Sequence, residues 1–231
     1  MPAQLGRSDP LRTDGDALII GTWNVQGRWS PAHRALLDRH ACDVWLLTEV
    51  NDNLELSDFH IQRSTALIAA RRRWSAVLAR AQFQGLPDPH PASAAVAIGN
   101  TTYCSSVLPW RSCGHRPPWV GEKHADKTAA AVKTLDAALP AGPLVWGGDW
   151  NHALGGRESS GTYGGRTAIT QMLGRRRLQV PTSALSHRIE GNMSIDHIAV
   201  DQSARIVRAE RFTAHGMSDH DGYVIEIEAA L

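Results

Sequence analysis

Leu144-Val145-Trp146-Gly147-Gly148-Asp149-Trp150-Asn151 opens as an apolar run, passes through two glycines and ends on an aspartate and an asparagine two positions apart. A short apolar run of this kind reads as a buried strand. A carboxylate at its end is costly unless it is paired or bound to a metal, which places it at the rim of a sheet. In an extended segment, positions i and i+2 project to the same side, so the Asp149 carboxylate can handle a proton while the Asn151 amide bonds a phosphate oxygen. Gly147 and Gly148 leave room for a close backbone approach. The same string also suits an Asp/Asn-rich turn after a strand.

The design recurs along the chain. Upstream, Asp43-Val44-Trp45-Leu46-Leu47 runs into Thr48-Glu49, and Thr22-Trp23-Asn24 closes a strand begun at Ala17. Downstream come Ser194-Ile195-Asp196-His197-Ile198 and Ser218-Asp219-His220. A hard cation takes carboxylate and amide oxygens and keeps waters that a phosphate can displace, which suits Glu49 with Asn24. Neighbours on an extended strand point to opposite faces, so one member each of Asp196-His197 and Asp219-His220 serves a common site.

These five motifs, in this order over residues 22 to 220, resemble the signature of the endonuclease/exonuclease/phosphatase superfamily, the group that includes pancreatic deoxyribonuclease and the abasic-site endonucleases. The resemblance implies an α/β fold, a four-layer α/β/β/α sandwich of two packed mixed β-sheets flanked by helices. It implies a Mg²⁺-dependent phosphoric ester hydrolase, with Mn²⁺ as a substitute. Glu49 is then the principal metal ligand, with Asn24 beside it and Asp219 near the metal. Asp196 and His220 form a hydrogen-bonded dyad, and Asp149 and Asn151 complete the catalytic set. Either His220 or Asp149 activates the attacking water. Trp150 stands where the family usually has Phe. At Val107 many members carry a His or Tyr that contacts the scissile phosphate, and valine donates no hydrogen bond; either Tyr103, Ser106 or a residue of the following loop compensates, or the loss is tolerated. His197 is left to a structural role.

From Ala17 onward strand-like and helix-like segments alternate. Strands are expected at Ala17–Asn24, Asp43–Thr48, Ile61–Ala69, Ser75–Arg80, Ala94–Ile98, Thr101–Leu108, Leu144–Trp146, Ile195–Val200, Ile206–Phe212 and Tyr223–Ile227. Helices are expected from Ser30-Pro31 to His40, over Glu122–Leu139 with Ala129, Val132, Leu135 and Leu139 on one face, and near Ala168–Leu173. Strands that cluster as well as alternate favour two packed sheets over one doubly wound sheet. Residues 1–16 lack periodicity and read as a flexible leader, with one domain over 17–231.

The 231 residues are 42% hydrophobic and 20% charged with a net charge of +1, so attraction to a polyanion must be local. Cys42, Cys104 and Cys113 have no zinc spacing and read as free thiols in a reducing, cytoplasmic compartment. No stretch approaches the roughly 20 apolar residues of a membrane span. The loop from Pro109 to Trp119 interleaves Trp110 and Trp119 with Arg111 and Arg116, which suits stacking on bases and gripping phosphates, and equally suits a Pro-rich loop packed back on a sheet. The Gly-rich stretch His152–Arg166, with Arg157 and Arg166, reads as a cover for substrate. The triplets Arg71-Arg72-Arg73 and Arg175-Arg176-Arg177 read as solvated faces. The expected substrate is DNA or RNA. A phosphomonoester or lipid-headgroup phosphodiester on the same scaffold is the nearest alternative, and a catalytically silent binding protein the more distant one. Oligomeric state is left open.

Overall fold

Strand Val44–Asn51 shows how the layers arise: Val44 and Leu46 face one apolar cluster while Trp45 and Leu47 face another. Both faces of such a strand must be covered, so a second sheet packs on one side and a helix on the other. The computed structural model describes residues 17–156 and 160–228; the expected leader, Arg157 and the last three residues of the expected domain lie outside them.

In chain order the elements are β1 (Ala17–Asn24), α1 (Pro31–His40), β2 (Val44–Asn51), β3 (His60–Arg63), β4 (Leu67–Ala69), β5 (Arg72–Ala79), β6 (Gln84–Gly85), β7 (Ser93–Ile98), β8 (Thr101–Ser106), α2 (His124–Ala138), β9 (Leu144–Asp149), α3 (Tyr163–Arg175), β10 (Leu178–Gln179), a 3-10 turn (Pro181–Ala184), β11 (Asp196–Asp201), β12 (Ile206–Phe212) and β13 (Gly222–Glu228). One sheet runs β12-β13-β1-β2-β5-β3, with β4 also on β5, and the other β10-β11-β9-β8-β7-β6. Parallel β1–β2 and β8–β9 pairs among antiparallel ones make both sheets mixed.

Ile20, Val44, Leu46, Val145, Ile198 and Ile225 fill the space between the sheets. Trp23, Trp45 and Leu47 pack outward with Leu36 and Leu37 of α1. On the far side, Trp146 and Leu144 pack against Val132 and Leu135 of α2 and Ile169 and Met172 of α3. The four layers are those the resemblance implies.

The single strand expected over Ile61–Ala69 is two short strands, β3 and β4, both paired to β5. Ala129 is exposed; the buried face of α2 instead takes Thr128 and Ala131 with Val132 and Leu135. α3 starts five residues before Ala168, where Thr162 accepts a hydrogen bond from the Gly165 amide and caps the helix.

Parallel pairing and short connections bring the chemistry to one rim. β1, β2 and β9 end there, β11 and β13 begin there, and Asp196 lies directly opposite Asp149 in register. The two glycines of β9 are used by protein backbone: a Cβ on Gly148, at φ +122°, would lie 2.2 Å from the Ser106 carbonyl of β8.

Candidate active site

A continuous line of polar groups crosses the rim from one sheet to the other. Arg72 Nη1 lies 3.1 Å from Glu49 Oε2. Asn24 Nδ2 donates to Glu49 Oε1 at 3.2 Å and to Asp149 Oδ2 at 3.1 Å. His220 Nε2 stands 3.8 Å from Asp149 Oδ2, and its Nδ1 donates to Asp196 Oδ2 at 2.8 Å. The expected dyad is therefore in contact, and Asp149 sits on the other edge of the same imidazole.

Backbone and neighbours hold these groups in place. Asn24 Oδ1 accepts from the Gln26 amide, so its NH₂ faces the two carboxylates as a donor. Glu49 itself takes φ +53°, a left-handed conformation that costs a residue with a Cβ about 1–2 kcal/mol, while the pairing to β5 continues on either side. Trp23 Nε1 donates to the His220 carbonyl, and Ser218 Oγ donates to the Asn24 carbonyl while accepting from the His220 amide. Ser218 and Trp23 thus tie β1 to the segment before β13.

Burial pushes the Asp149 carboxyl well above the usual carboxylate range, reinforced by the Asp196 and Glu49 carboxylates and opposed by His220. Burial also disfavours charge on His220, but the Asp196 and Asp149 carboxylates outweigh it and hold the ring above the usual histidine value. Three carboxylates thus share one imidazolium and one guanidinium, an excess of negative charge that a cation relieves. Asp149, Asp196 and His220 present ligand atoms within 4.8 Å of one another, and the buried Asp196 Oδ1 has no hydrogen-bond partner. These oxygens, with the Glu49 carboxylate at the other end of the Asn24 bridge, make an oxygen-rich rim that suits a hard divalent cation.

Not every expected residue joins this line. Asp219 is exposed, and no hydrogen bond or ion pair to a described residue joins it to the cluster. Asn151 does not project alongside Asp149 from an extended segment, because the chain turns there at φ +53°; Asp149 Oδ1 accepts the Asn151 amide, and Asn151 Nδ2 donates to the Leu108 carbonyl. The turn reading of that string describes the backbone, and Asn151 keeps its side-chain oxygen uncommitted to any described partner. Val107 is buried in the outer core beside Trp146 and offers nothing to the rim.

The loop between β8 and α2 splits between its two readings. Trp119 is buried, 5.3 Å from Trp74 and stacked on His90 at 5.5 Å, so its ring has no free face for a base. Trp110 is part-buried against Trp74 and Trp119. Arg111 Nε and Nη2 donate to the Gly161 carbonyl, at 2.8 and 2.6 Å, bracing the Gly-rich segment, while Arg116 is exposed. Neither arginine triplet is simply solvated: Arg72 pairs with Glu49 and Arg73 with Asp52, whereas Arg175 and Arg176 clamp Asp136 of α2. His197 is buried, with Nε2 on the His152 carbonyl.

A family model described as Endonuclease/Exonuclease/phosphatase family matches residues 21–220. Among solved structures the chain is similar to the endonuclease domain of TRAS1, a telomere-specific non-LTR retrotransposon, at 15% identity and TM-score 0.66 over 92% of this chain and 98% of that one. It is similar to the AP endonuclease LMAP from Leishmania major, at 14% identity and TM-score 0.66 over 93% and 88%. It is also similar to an endonuclease/exonuclease/phosphatase from Beutenbergia cavernae DSM 12333, at 15% identity and TM-score 0.62 over 92% and 71%. These likenesses establish the fold. No curated protein matches the chain in sequence.

Proposed function

We propose, since the chain belongs to the Endonuclease/Exonuclease/phosphatase family, that it is a divalent-metal-dependent phosphodiesterase acting on nucleic acid. The observation that carries this reading is the Asp196–His220–Asp149 array joined through Asn24 to Glu49. Glu49 holds the cation, Mg²⁺ or Mn²⁺ in its place; Asn24 beside it fixes Glu49 and Asp149 relative to each other, and Asp219 stands at the solvent side. When bound, the cation neutralises charge on the phosphate and the leaving oxygen.

The chain's own groups do the rest. Asp196 fixes the His220 tautomer and stabilises its protonated form, leaving Nε2 to exchange a proton with the attacking water or with Asp149. Asp149, with its raised pKa, is the alternative acceptor for that proton. Asn151, held by one Nδ2–H on the Leu108 carbonyl, keeps its second Nδ2–H to donate to a phosphate oxygen from a fixed position. Arg116, with the part-exposed Trp110, contacts the substrate strand, and Arg111 acts there by bracing the Gly-rich segment. The neighbours whose names are endonucleases support a nucleic-acid substrate. The unpaired Cys42, Cys104 and Cys113 suit a reducing, cytoplasmic setting. Among the described residues no helix is long and apolar enough to cross a membrane.

The test is to incubate the purified protein with single- and double-stranded DNA, RNA and small phosphomonoesters, each with Mg²⁺, Mn²⁺ or chelator. Metal-dependent cleavage of at least one nucleic acid is expected. Turnover confined to phosphomonoesters, or equal turnover in chelator, overturns the reading.

A further inference from the structure

Val107, where the resemblance implies a phosphate-contacting imidazole or phenol, is buried in the core, yet a second imidazole does stand at the rim beside His220, on a different loop. The segment between the 3-10 turn and β11 folds back on itself through the bridge Ser186↔Met193 and the bond from the His187 amide to the Asn192 carbonyl, 2.9 Å. It is pinned to the neighbouring sheet by one cross-strand pair: Tyr223 Oη donates to the Ser186 carbonyl at 3.1 Å, and Arg211, opposite Tyr223, donates to the His187 carbonyl. Arg188 Nη1 donates to the carbonyl of Ser218, two residues before His220. These anchors set the His187 ring edge-on to the His220 ring, centroids 6.5 Å apart.

The hydrogen bonds of the ring decide its chemistry. His187 Nδ1 accepts the Ile189 amide at 3.0 Å, so Nδ1 is unprotonated and the single ring proton sits on Nε2. No described residue accepts from Nε2, and the side chain is part-exposed at the rim. One ring nitrogen is thus spent on the loop's own backbone, and a neutral Nε2–H donor is left beside the dyad.

We propose that His187 donates Nε2–H to a non-bridging oxygen of the scissile phosphate, supplying from this loop the contact that Val107 cannot. The proposal rests on the phosphodiesterase reading above. Removing one preorganised donor to a developing oxyanion costs about 100- to 1,000-fold in kcat. His187→Ala should therefore lower kcat on bis(p-nitrophenyl) phosphate by about 100-fold with KM and Mn²⁺ affinity within a few-fold. His187→Gln, whose amide N–H reaches near the place of Nε2–H, should recover about tenfold of that loss, by the same donor argument. Circular dichroism of both variants should match the parent.

A His187→Ala protein that keeps parental kcat, or Ala and Gln variants equally impaired, overturns the proposal. If the parental protein itself cleaves no phosphodiester with any metal, the phosphodiesterase reading falls instead. The contact is then judged by titrating inorganic phosphate and following the imidazole resonances. A His187 Nε2 signal that does not move with phosphate, while His220 does, overturns it.

Discussion

The side-chain amide of Asn24, at the end of β1, donates across the gap between the sheets to Asp149 at the end of β9, 3.1 Å away. The same nitrogen donates to Glu49 on β2. One neutral amide thereby holds two carboxylates of different strands at fixed separation and offsets part of their repulsion. Its loss is both a packing and an electrostatic event.

Asn24→Ala leaves the buried Asp149 carboxylate short of a donor, which costs about 1–3 kcal/mol. Urea denaturation should show that loss, with kcat reduced as well. Asn24→Asp should be worse for activity than Asn24→Ala, because it adds a third negative charge between the two it replaces a donor for. Equal activity of the two variants would show that the added charge has no effect and that Asn24 acts only as a donor.

Glu49→Gln keeps the shape and the acceptor for Asn24 but removes the charge that pairs with Arg72 and attracts a cation. Mg²⁺ affinity should fall, and activity should drop by orders of magnitude at fixed metal. Chelator should abolish parental activity and Mn²⁺ restore it. Full activity of Glu49→Gln in excess chelator would remove Glu49 from the mechanism.

Asp196 and His220 should behave as one unit, given the 2.8 Å bond between them. The double replacement Asp196→Asn with His220→Ala should be about as damaging as His220→Ala alone, since contacting residues of one network do not add. Losses that sum in the logarithm of kcat would assign the two residues to separate steps.

The strands that carry Asn24, Glu49 and Asp149 at or near their ends were legible because a carboxylate or amide closing an apolar run has few stable places other than a sheet rim. The layers followed from the same strands, whose Trp and Leu residues alternate between two cores. What stayed hidden was set by tertiary register or by local backbone turns. Arg72 reaches Glu49 only because antiparallel pairing places Arg72 opposite Asn51, which no property of an arginine triplet announces. Asn151 defeated the same-side rule by taking a positive φ, and the start of α3 at Tyr163-Gly164-Gly165 carries no apolar period to reveal it. His187 lies in a loop without motif or periodicity, so only its contacts mark it.

The loop after β8 yields a split outcome that tests its two arginines separately. Arg116 is exposed and carries the proposed phosphate contact, so Arg116→Ala should weaken oligonucleotide binding and reduce the salt slope by about 0.7 to 0.9. Arg111 spends its guanidinium on the Gly161 carbonyl, so Arg111→Ala should leave the slope near parental and instead raise amide exchange in the Gly-rich segment. A slope change for Arg111 and none for Arg116 would reverse these roles.

Acid should destabilise the fold through its buried histidines. Burial pushes His90, His152 and His197 each down to about 4. In the unfolded chain they titrate near 6.5, so between about 6.5 and 4 the unfolded state binds more protons. Stability is then whole above pH about 6.5 and falls as pH drops toward 4, by up to roughly 3 kcal/mol for each ring. His33, His40, His124 and His187 are lowered in the same direction, by burial first. Asp149 works oppositely: its raised pKa means the folded state holds the extra proton, a contribution present in acid and lost as pH rises. His220 adds to that opposite side, with stability present below its unfolded value and lost only as pH climbs through its raised one. The histidines outnumber these two, so urea denaturation at pH 7, 6, 5 and 4.5 should show a net fall on acidification. Asp149→Asn removes one opposing contribution, and its acid loss should be steeper than the parent's. Stability that is flat or rising from pH 6.5 to 5 would mean that the buried imidazoles take up protons without unfolding the layers that enclose them.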